Sequence, residues 1–141
     1  MIRGVHHITL LVRDLNQAMQ RYRQQLGIAH FEIADLPPRG VRTACFMAGA
    51  TAIVLVEPVA DGEPMRQLRA SGEGLFLLSL EVDDLDKACD HLVAGGGQLR
   101  GEPREGLKNW RVVDVAPECL NGAPIQLTQV MDPEVTDPLQ T

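Results

Sequence analysis

The chain has 141 residues, 45% of them hydrophobic and 23% charged, with a formal net charge of −6 at pH 7. This composition suits one folded domain and excludes a disordered, collagen-like or coiled-coil chain. No stretch approaches the roughly 20 consecutive apolar residues of a transmembrane helix, and Arg3, His6 and His7 occupy the place of a signal-peptide core. Because acidic chains bind nucleic acid and anionic lipid poorly, the sequence predicts a cytoplasmic protein with a small-molecule partner, no nucleic-acid partner and no membrane partner.

The first elements along the chain are a strand and a helix. Residues 6–12 alternate in the period of a β-strand. Asp14 follows where a helix N-cap belongs, apolar residues recur at helical spacing from Leu15 to Leu26, and Gly27 ends the helix. Three further strands are predicted at 28–34, 41–48 and 51–57.

The same pattern occurs a second time. Residues 10–27 align with residues 80–97, and Asp84 stands at the second N-cap. Three strands are predicted after this helix, at 97–101, 109–115 and 124–130. The sequence thus predicts a single domain at 1–141, made of a βαβββ module at 3–57, a linker at 58–73 with a short helix near Met65 to Ala70, a second βαβββ module at 74–130, and a loose tail at 131–141.

The two modules are expected to enclose a cleft. The apolar side of each first strand, with Leu10 in one copy and Leu80 in the other, should face the helix. The opposite side and the last strand of each module should line the cleft with His7, Thr9, Leu11, Val54, Val56, Leu77, Ser79, Glu81, Gln126 and Thr128.

The duplicated pattern resembles the vicinal oxygen chelate superfamily, which includes glyoxalase I, methylmalonyl-CoA epimerase, extradiol dioxygenases and bleomycin-resistance proteins. The resemblance lies in VHHITLLVRDLNQAMQRYRQQLG, IVLVEP, GEGLFLLSLEVDDLDKACDHLVAGGG and IQLTQ, and the middle section looks most like the epimerase and glyoxalase branch. It implies an α+β fold with a U-shaped mixed sheet of eight strands, a helix outside each module, and a homodimer.

The resemblance also bears on metal binding. In metal-dependent members of that family, the first and last strands of each module supply four ligands, usually His, Glu or Gln, His, and Glu. Carried over by position, they fall on His7, Val54, Leu77 and Gln126. Val54 and Leu77 have no lone pair, and a catalytic metal site usually has about three protein ligands. We therefore expect no metal cofactor; the alternative is a divalent metal held weakly by His7 and Gln126.

Other candidate residues have a functional and a structural interpretation. Trp110 is the only Trp in the chain, and an exposed aromatic ring beside Arg111 suits ligand contact. The alternative is that Trp110 covers the core edge and Arg111 pairs with Asp114 or a nearby Glu. His7 is the candidate general base, and Glu81 is either a replacement base or a solvated carboxylate. The residues predicted to bind ligand are His7, Thr9, Val54, Leu77, Ser79, Trp110, Arg111 and Gln126.

Two residue types are assigned a structural role. His6 alternates with His7, points to the opposite face and is predicted to be structural. Cys45, Cys89 and Cys119 form no C-x-x-C pair and are predicted to be free, buried thiols.

Three functions fit these observations. The main prediction is a glyoxalase/bleomycin-resistance-type protein that binds a small, partly apolar organic molecule in a metal-poor cleft. The alternative is an isomerase, epimerase or lyase acting next to a carbonyl, on a thioester for example, with a weak divalent metal or with His7 as acid and base. The third is an interaction module with a vestigial cleft.

Overall fold

A computed structural model describes residues 1–131. Within that range the strands join in the order β2-β3-β4-β1-β5-β8-β7-β6, and the sheet is mixed because β1 and β4 run parallel while β3 and β4 run antiparallel. This confirms the predicted α+β class and the eight strands. The elements are β1 (Ile2–Leu11), α1 (Leu15–Leu26), β2 (Glu32–Leu36), β3 (Val41–Ala48), β4 (Thr51–Pro58), α2 (Glu63–Ser71), β5 (Gly74–Val82), α3 (Leu85–Ala94), β6 (Leu99–Glu105), β7 (Trp110–Val115) and β8 (Ile125–Val130).

The backbone divides into two compact units. One unit is His6–Leu78; the other joins Met1–Val5 to the chain from Ser79 onward. The module bounds, the linker and the cleft stay predictions, and the predicted loose tail lies, apart from Met131, outside the described residues. None of the helices in residues 1–131 is long and apolar enough to cross a membrane.

The unit His6–Leu78 is built around helix α1. The Asp14 carboxylate accepts a hydrogen bond from the Gln17 amide at 3.0 Å, and Gly27 ends the helix with φ 71°. The buried face of α1 packs on the sheet, as its apolar spacing predicts. The core consists of Val12, Leu15, Ala18, Met19, Phe31, Ala44, Phe46 and Leu55.

The other unit repeats this construction with helix α3. The Asp84 carboxylate accepts a hydrogen bond from the Lys87 amide at 3.0 Å. One side of β7 and β8 packs on α3 and forms a second core, which consists of Val82, Leu85, Ala88, Cys89, Val113, Val115 and Leu127. In both units the helix covers one face of the strands, so the polar residues that alternate with the core lie on the other face.

Two predicted strands are shifted in the structure. The first was placed at 28–34, but β2 is Glu32–Leu36, because the buried ring of Phe31 packs on Phe46 at 5.7 Å between ring centroids. The second was placed at 97–101, but β6 continues to Glu105 through a register shift in which Gly101 has φ 85°. The helix predicted in the linker is present as α2.

Candidate functional site

The strand faces opposite the helices carry buried polar side chains. Burying a hydroxyl, imidazole or amide is unfavourable unless it is hydrogen-bonded, so a row of such groups marks these faces as the candidate site. The buried polar residues are His7, Thr9, Thr43, Ser79, Gln126 and Thr128. Five of them were predicted from the sequence to line a cleft; Thr43, whose hydroxyl donates to the Ala34 carbonyl at 3.2 Å, was not.

His7 lies in the unit His6–Leu78 and contacts its neighbour in the chain. The side chain is only 5% exposed. The Nδ1 atoms of His6 and His7 are 2.9 Å apart and the two rings meet edge to face, with 5.2 Å between centroids. Although strand alternation predicted that His6 would point away from His7, its half-buried ring turns back toward it. Since one Nδ1 must donate and the other accept, the tautomers of the two rings are coupled.

Val54 and Leu77 belong to the same unit as His7. Their side chains are 2% and 8% exposed, and Val54 is paired with Thr9 across strands β4 and β1. Both are aliphatic and offer no electron pair to a cation. Among residues 1–131 no group of three or more His, Cys, Asp or Glu side chains is arranged to hold a metal ion. The donor set at the family's four ligand positions therefore does not fit a catalytic metal centre.

Gln126 lies in the other unit, at one end of a chain of hydrogen-bonded polar side chains. It is 4% exposed and pairs with Asp114 across strands β8 and β7. Its Nε2 donates to Asp114 Oδ1 at 3.2 Å, and Arg104 Nη1 donates to Asp114 Oδ2 at 3.1 Å. We call Arg104, Asp114 and Gln126 the Gln126 chain. Asp114 and Arg104 are positioning residues that sequence analysis did not assign to the site.

The outer end of the Gln126 chain is unsatisfied. Gln126 Oε1 is buried and has no hydrogen-bond partner among residues 1–131. The Asp114 carboxylate can only accept a hydrogen bond, so it fixes the orientation of the Gln126 amide. Nε2 faces Asp114, and Oε1 is the amide atom that Asp114 does not contact. Leaving a buried acceptor unpaired costs about 1–3 kcal/mol. Such a group in a native structure requires an explanation, and a ligand donor is one.

Ser79 and Thr128 satisfy each other in the same unit. Both side chains are fully buried, and their hydroxyls form a hydrogen bond to one another. Glu81 is different, because its side chain is 31% exposed and its Oε2 lies 3.9 Å from Arg3 Nε. This arrangement matches the alternative in which Glu81 is a solvated carboxylate. Its side chain is not buried in the way that is typical of a general base.

Trp110 and Arg111 lie on opposite faces of β7. The sequence left two interpretations of Trp110 open, an exposed ring that contacts ligand and a ring that covers the core edge; only 8% of Trp110 is accessible, which does not fit the exposed ring. Arg111 points to helix α3, where its Nη1 lies 3.2 Å from Asp86 Oδ1. Arg111 therefore does not join the Gln126 chain, and its ion-pair partner is Asp86 rather than Asp114 or a Glu. Residues 111 and 114 are three positions apart on one strand, so side-chain alternation places them on opposite faces. The sequence alone therefore argued against an Arg111–Asp114 pair.

The cysteines differ in exposure. Cys45 and Cys89 are buried as expected, whereas Cys119 is exposed, so the prediction of three buried thiols is wrong for Cys119. Burial raises the pKa of the Cys89 thiol, and the nearby Asp86 carboxylate raises it further. Cys89 is therefore not an activated nucleophile.

Two βαβββ repeats in one mixed sheet, each with a polar face opposite its helix, define a protein of the vicinal oxygen chelate class. Residues 6–113 match the family model described as the Glyoxalase/Bleomycin resistance protein/Dioxygenase superfamily. The chain belongs to this superfamily.

Several of its relatives are epimerases. The chain is 30% identical over 134 residues to the ethylmalonyl-CoA/methylmalonyl-CoA epimerase of Cereibacter sphaeroides, covering 92% of this chain and 100% of that one. It superposes on the crystal structure of the methylmalonyl-CoA epimerase from Mycobacterium tuberculosis with a TM-score of 0.87 and 28% identity, over 95% and 91% of the two chains. The Streptomyces coelicolor methylmalonyl-CoA epimerase, in complex with 2-nitronate-propionyl-CoA, shares the fold, with a TM-score of 0.83 and 24% identity over 92% and 98% of the chains.

Proposed function

We propose that this protein is a metal-independent member of the superfamily that binds a small, partly apolar organic molecule. The observation that carries the proposal is the pair of buried aliphatic side chains at two ligand positions, Val54 and Leu77. Apolar side chains with a few well-placed polar groups are the usual lining of a small-molecule site. Each unit also carries a buried polar side chain suited to ligand contact, His7 in the one and Gln126 in the other.

The donors that remain are weak as a metal site. His7 offers one imidazole nitrogen, and Gln126 offers a neutral amide oxygen in place of a carboxylate. Catalytic zinc sites have about three protein ligands with an open fourth position. Gln126 also has no basic group, so it cannot take a proton from a substrate at neutral pH.

Native mass spectrometry of untagged protein tests this proposal. One sample is purified without chelator and supplied with Mn²⁺, Co²⁺, Ni²⁺ and Zn²⁺, and another is treated with EDTA. We expect no stoichiometric metal and a ligand mass that survives EDTA. If no organic mass co-purifies, thermal shifts with propionyl-CoA and methylmalonyl-CoA follow, and an EDTA-insensitive shift supports the proposal. A stoichiometric metal ion, or no organic mass and no shift, overturns it.

A second candidate is an isomerase or epimerase that acts next to the carbonyl of a thioester. It is favoured by the 30% identity to an epimerase whose whole length this chain covers. His7 would then take the proton from the carbon beside the carbonyl, and an epimerisation requires that a proton return to the opposite face of that carbon. With only two donors at the four ligand positions, no step of this reaction is assigned to a metal.

Proton exchange separates the two candidates. The protein is incubated with methylmalonyl-CoA in D₂O, and the mass of the recovered thioester is measured by mass spectrometry. An enzyme adds one deuterium at the acidic carbon, and His7→Ala abolishes this while the protein stays folded. A binding protein returns the thioester unchanged. Exchange that persists in His7→Ala would exclude His7 as the base.

A homodimer and a cytoplasmic location are part of the same proposal. Sedimentation equilibrium of the untagged chain tests the dimer, which would have twice the 15.4 kDa chain mass. A single species of 15.4 kDa over the whole concentration range would contradict it.

A further inference from the structure

The Gln126 chain presents one hydrogen-bonding atom in one fixed sense. Within the described part of the chain, Gln126 Oε1 is buried without a partner, while Nε2 donates to Asp114. An amide that turned over would place its carbonyl against the Asp114 carboxylate, where lone pairs face lone pairs. The atom left for another molecule is therefore an acceptor.

Arg104 holds Asp114 in this position. Its guanidinium donates to Asp114 Oδ2, and both side chains are partly buried, with exposures of 27% and 22%. Hydrogen bonds between charged groups are stronger than those between neutral groups, so Arg104 holds the Asp114 carboxylate in place. Donation from Nε2 to a charged acceptor polarises the amide and strengthens Oε1 as an acceptor, because consecutive hydrogen bonds reinforce one another.

We propose that Gln126, oriented by Asp114 and Arg104, selects ligands that present a hydrogen-bond donor, such as an amide N–H or a hydroxyl, and rejects a carboxylate or phosphate at that point. The inference rests on the proposed function, since it requires that the protein bind a small molecule. It assigns Asp114 and Arg104 as positioning residues. A ligand carboxylate next to Gln126 Oε1 would place its oxygen lone pairs against those of Oε1 and would be repelled.

A matched pair of probes tests the donor requirement. N-methylacetamide has one N–H, and N,N-dimethylacetamide replaces it with a methyl group. Each is titrated into the ¹⁵N-labelled protein while the side-chain amide signals of Gln126 are followed by NMR. We expect N-methylacetamide to shift these signals with an affinity about three- to tenfold higher, which is the usual value of one hydrogen bond. Equal binding, or no shift with either probe, overturns the proposal; the latter result would mean that a buried water fills the site.

Two variants test the positioning role. Asp114→Asn can donate to Oε1, which lets the Gln126 amide turn over, so we expect the preference for N-methylacetamide to disappear. Asp86→Asn is the matched control. Like Asp114, Asp86 pairs with an arginine, but its partner is Arg111, on the helix-facing side of β7. Preference retained in Asp114→Asn, or lost in Asp86→Asn, contradicts the assignment. The wild-type titration still decides the donor requirement if Asp114→Asn fails to fold.

The two proposals fail separately. If native mass spectrometry finds an organic ligand without metal but the probes bind equally, the donor requirement is wrong and the proposed function stands. If a stoichiometric metal ion is found, the proposed function is wrong whatever the probes do.

Discussion

His6 Nδ1 and His7 Nδ1 lie 2.9 Å apart. Two neutral imidazoles can form this contact only if one carries hydrogen on Nδ1 and the other on Nε2. We expect long-range ¹H–¹⁵N spectra of the neutral rings to show one Nδ1–H tautomer and one Nε2–H tautomer. His6→Phe removes the constraint and should change the tautomer balance of His7.

His30 provides the control for this experiment. It is exposed, so His30→Phe should leave the His7 signals where they are. Two rings in the same tautomer, or a His7 signal that does not respond to His6→Phe, would contradict the coupling. If His7 holds its hydrogen on Nδ1, its Nε2 carries the lone pair that accepts a proton, as the second candidate function requires.

The two N-caps should contribute similarly to stability. Asp14 and Asp84 each accept one hydrogen bond of 3.0 Å from a backbone amide three residues on. We expect Asp14→Ala and Asp84→Ala each to lower the free energy of unfolding by about 1 kcal/mol. Urea unfolding measures the change, and Asp61→Ala, at a side chain 92% exposed, is the control. A cap variant as stable as the control would show that its cap contributes nothing.

Stability should depend on Asp83 in acid. The Arg3 hydrogen bond holds the pKa of Asp83 below its ordinary value of 3.8. A carboxyl with a lowered folded pKa stabilises the fold above its unfolded pKa, and that contribution is lost as pH falls through the folded pKa. Asp83→Asn should therefore be less stable than wild type at pH 7 and should converge with it as the pH falls through the lowered pKa of Asp83.

Salt provides a second check on Asp83. Both side chains are exposed, at 63% for Arg3 and 51% for Asp83. The difference between Asp83→Asn and wild type should shrink in 1 M NaCl, because salt screens exposed charges. If the stability difference between Asp83→Asn and wild type stays constant from pH 7 to pH 2, the substitution does not act through the Arg3–Asp83 ion pair.

One thiol should react much faster than the others. Cys119 is exposed, whereas Cys45 and Cys89 are buried and burial raises the pKa of Cys89. We expect a disulfide reagent such as DTNB to give one rapid equivalent per folded chain at pH 8, since the thiolate is the reacting form. Cys119→Ser should remove that phase, and a rapid phase that survived would mean that a buried thiol opens to solvent.

Local signals in the sequence were enough for much of the fold. Asp14 and Asp84 cap their helices because a cap depends on residues within one turn. The start of β2 was misplaced, since the burial of Phe31 against Phe46 joins distant parts of the chain. The strand predicted at 97–101 was too short, since β6 continues to Glu105 through a register shift that no local pattern indicates.

The candidate site was only partly predictable. Val54 and Gln126 followed from the repeat and from the resemblance to a family. The Asp114 contact with Gln126 depends on the register of β7 against β8, which the sequence does not determine. Ligand contact by Arg111 was weighed against a pair with Asp114 or a Glu, but the partner is Asp86, whose position on helix α3 depends on how that helix packs on β7.

The discontinuous unit has a consequence for the order of folding. Residues 1–5 belong to the same unit as the chain from Ser79 onward, and the Asp83 amide donates to the Met1 carbonyl at 3.2 Å. During synthesis at about 5–20 residues per second, residues 1–5 wait for several seconds before their partners leave the ribosome. The earlier-made segment of this unit thus acquires its native neighbours only after the whole of the unit His6–Leu78 has been made.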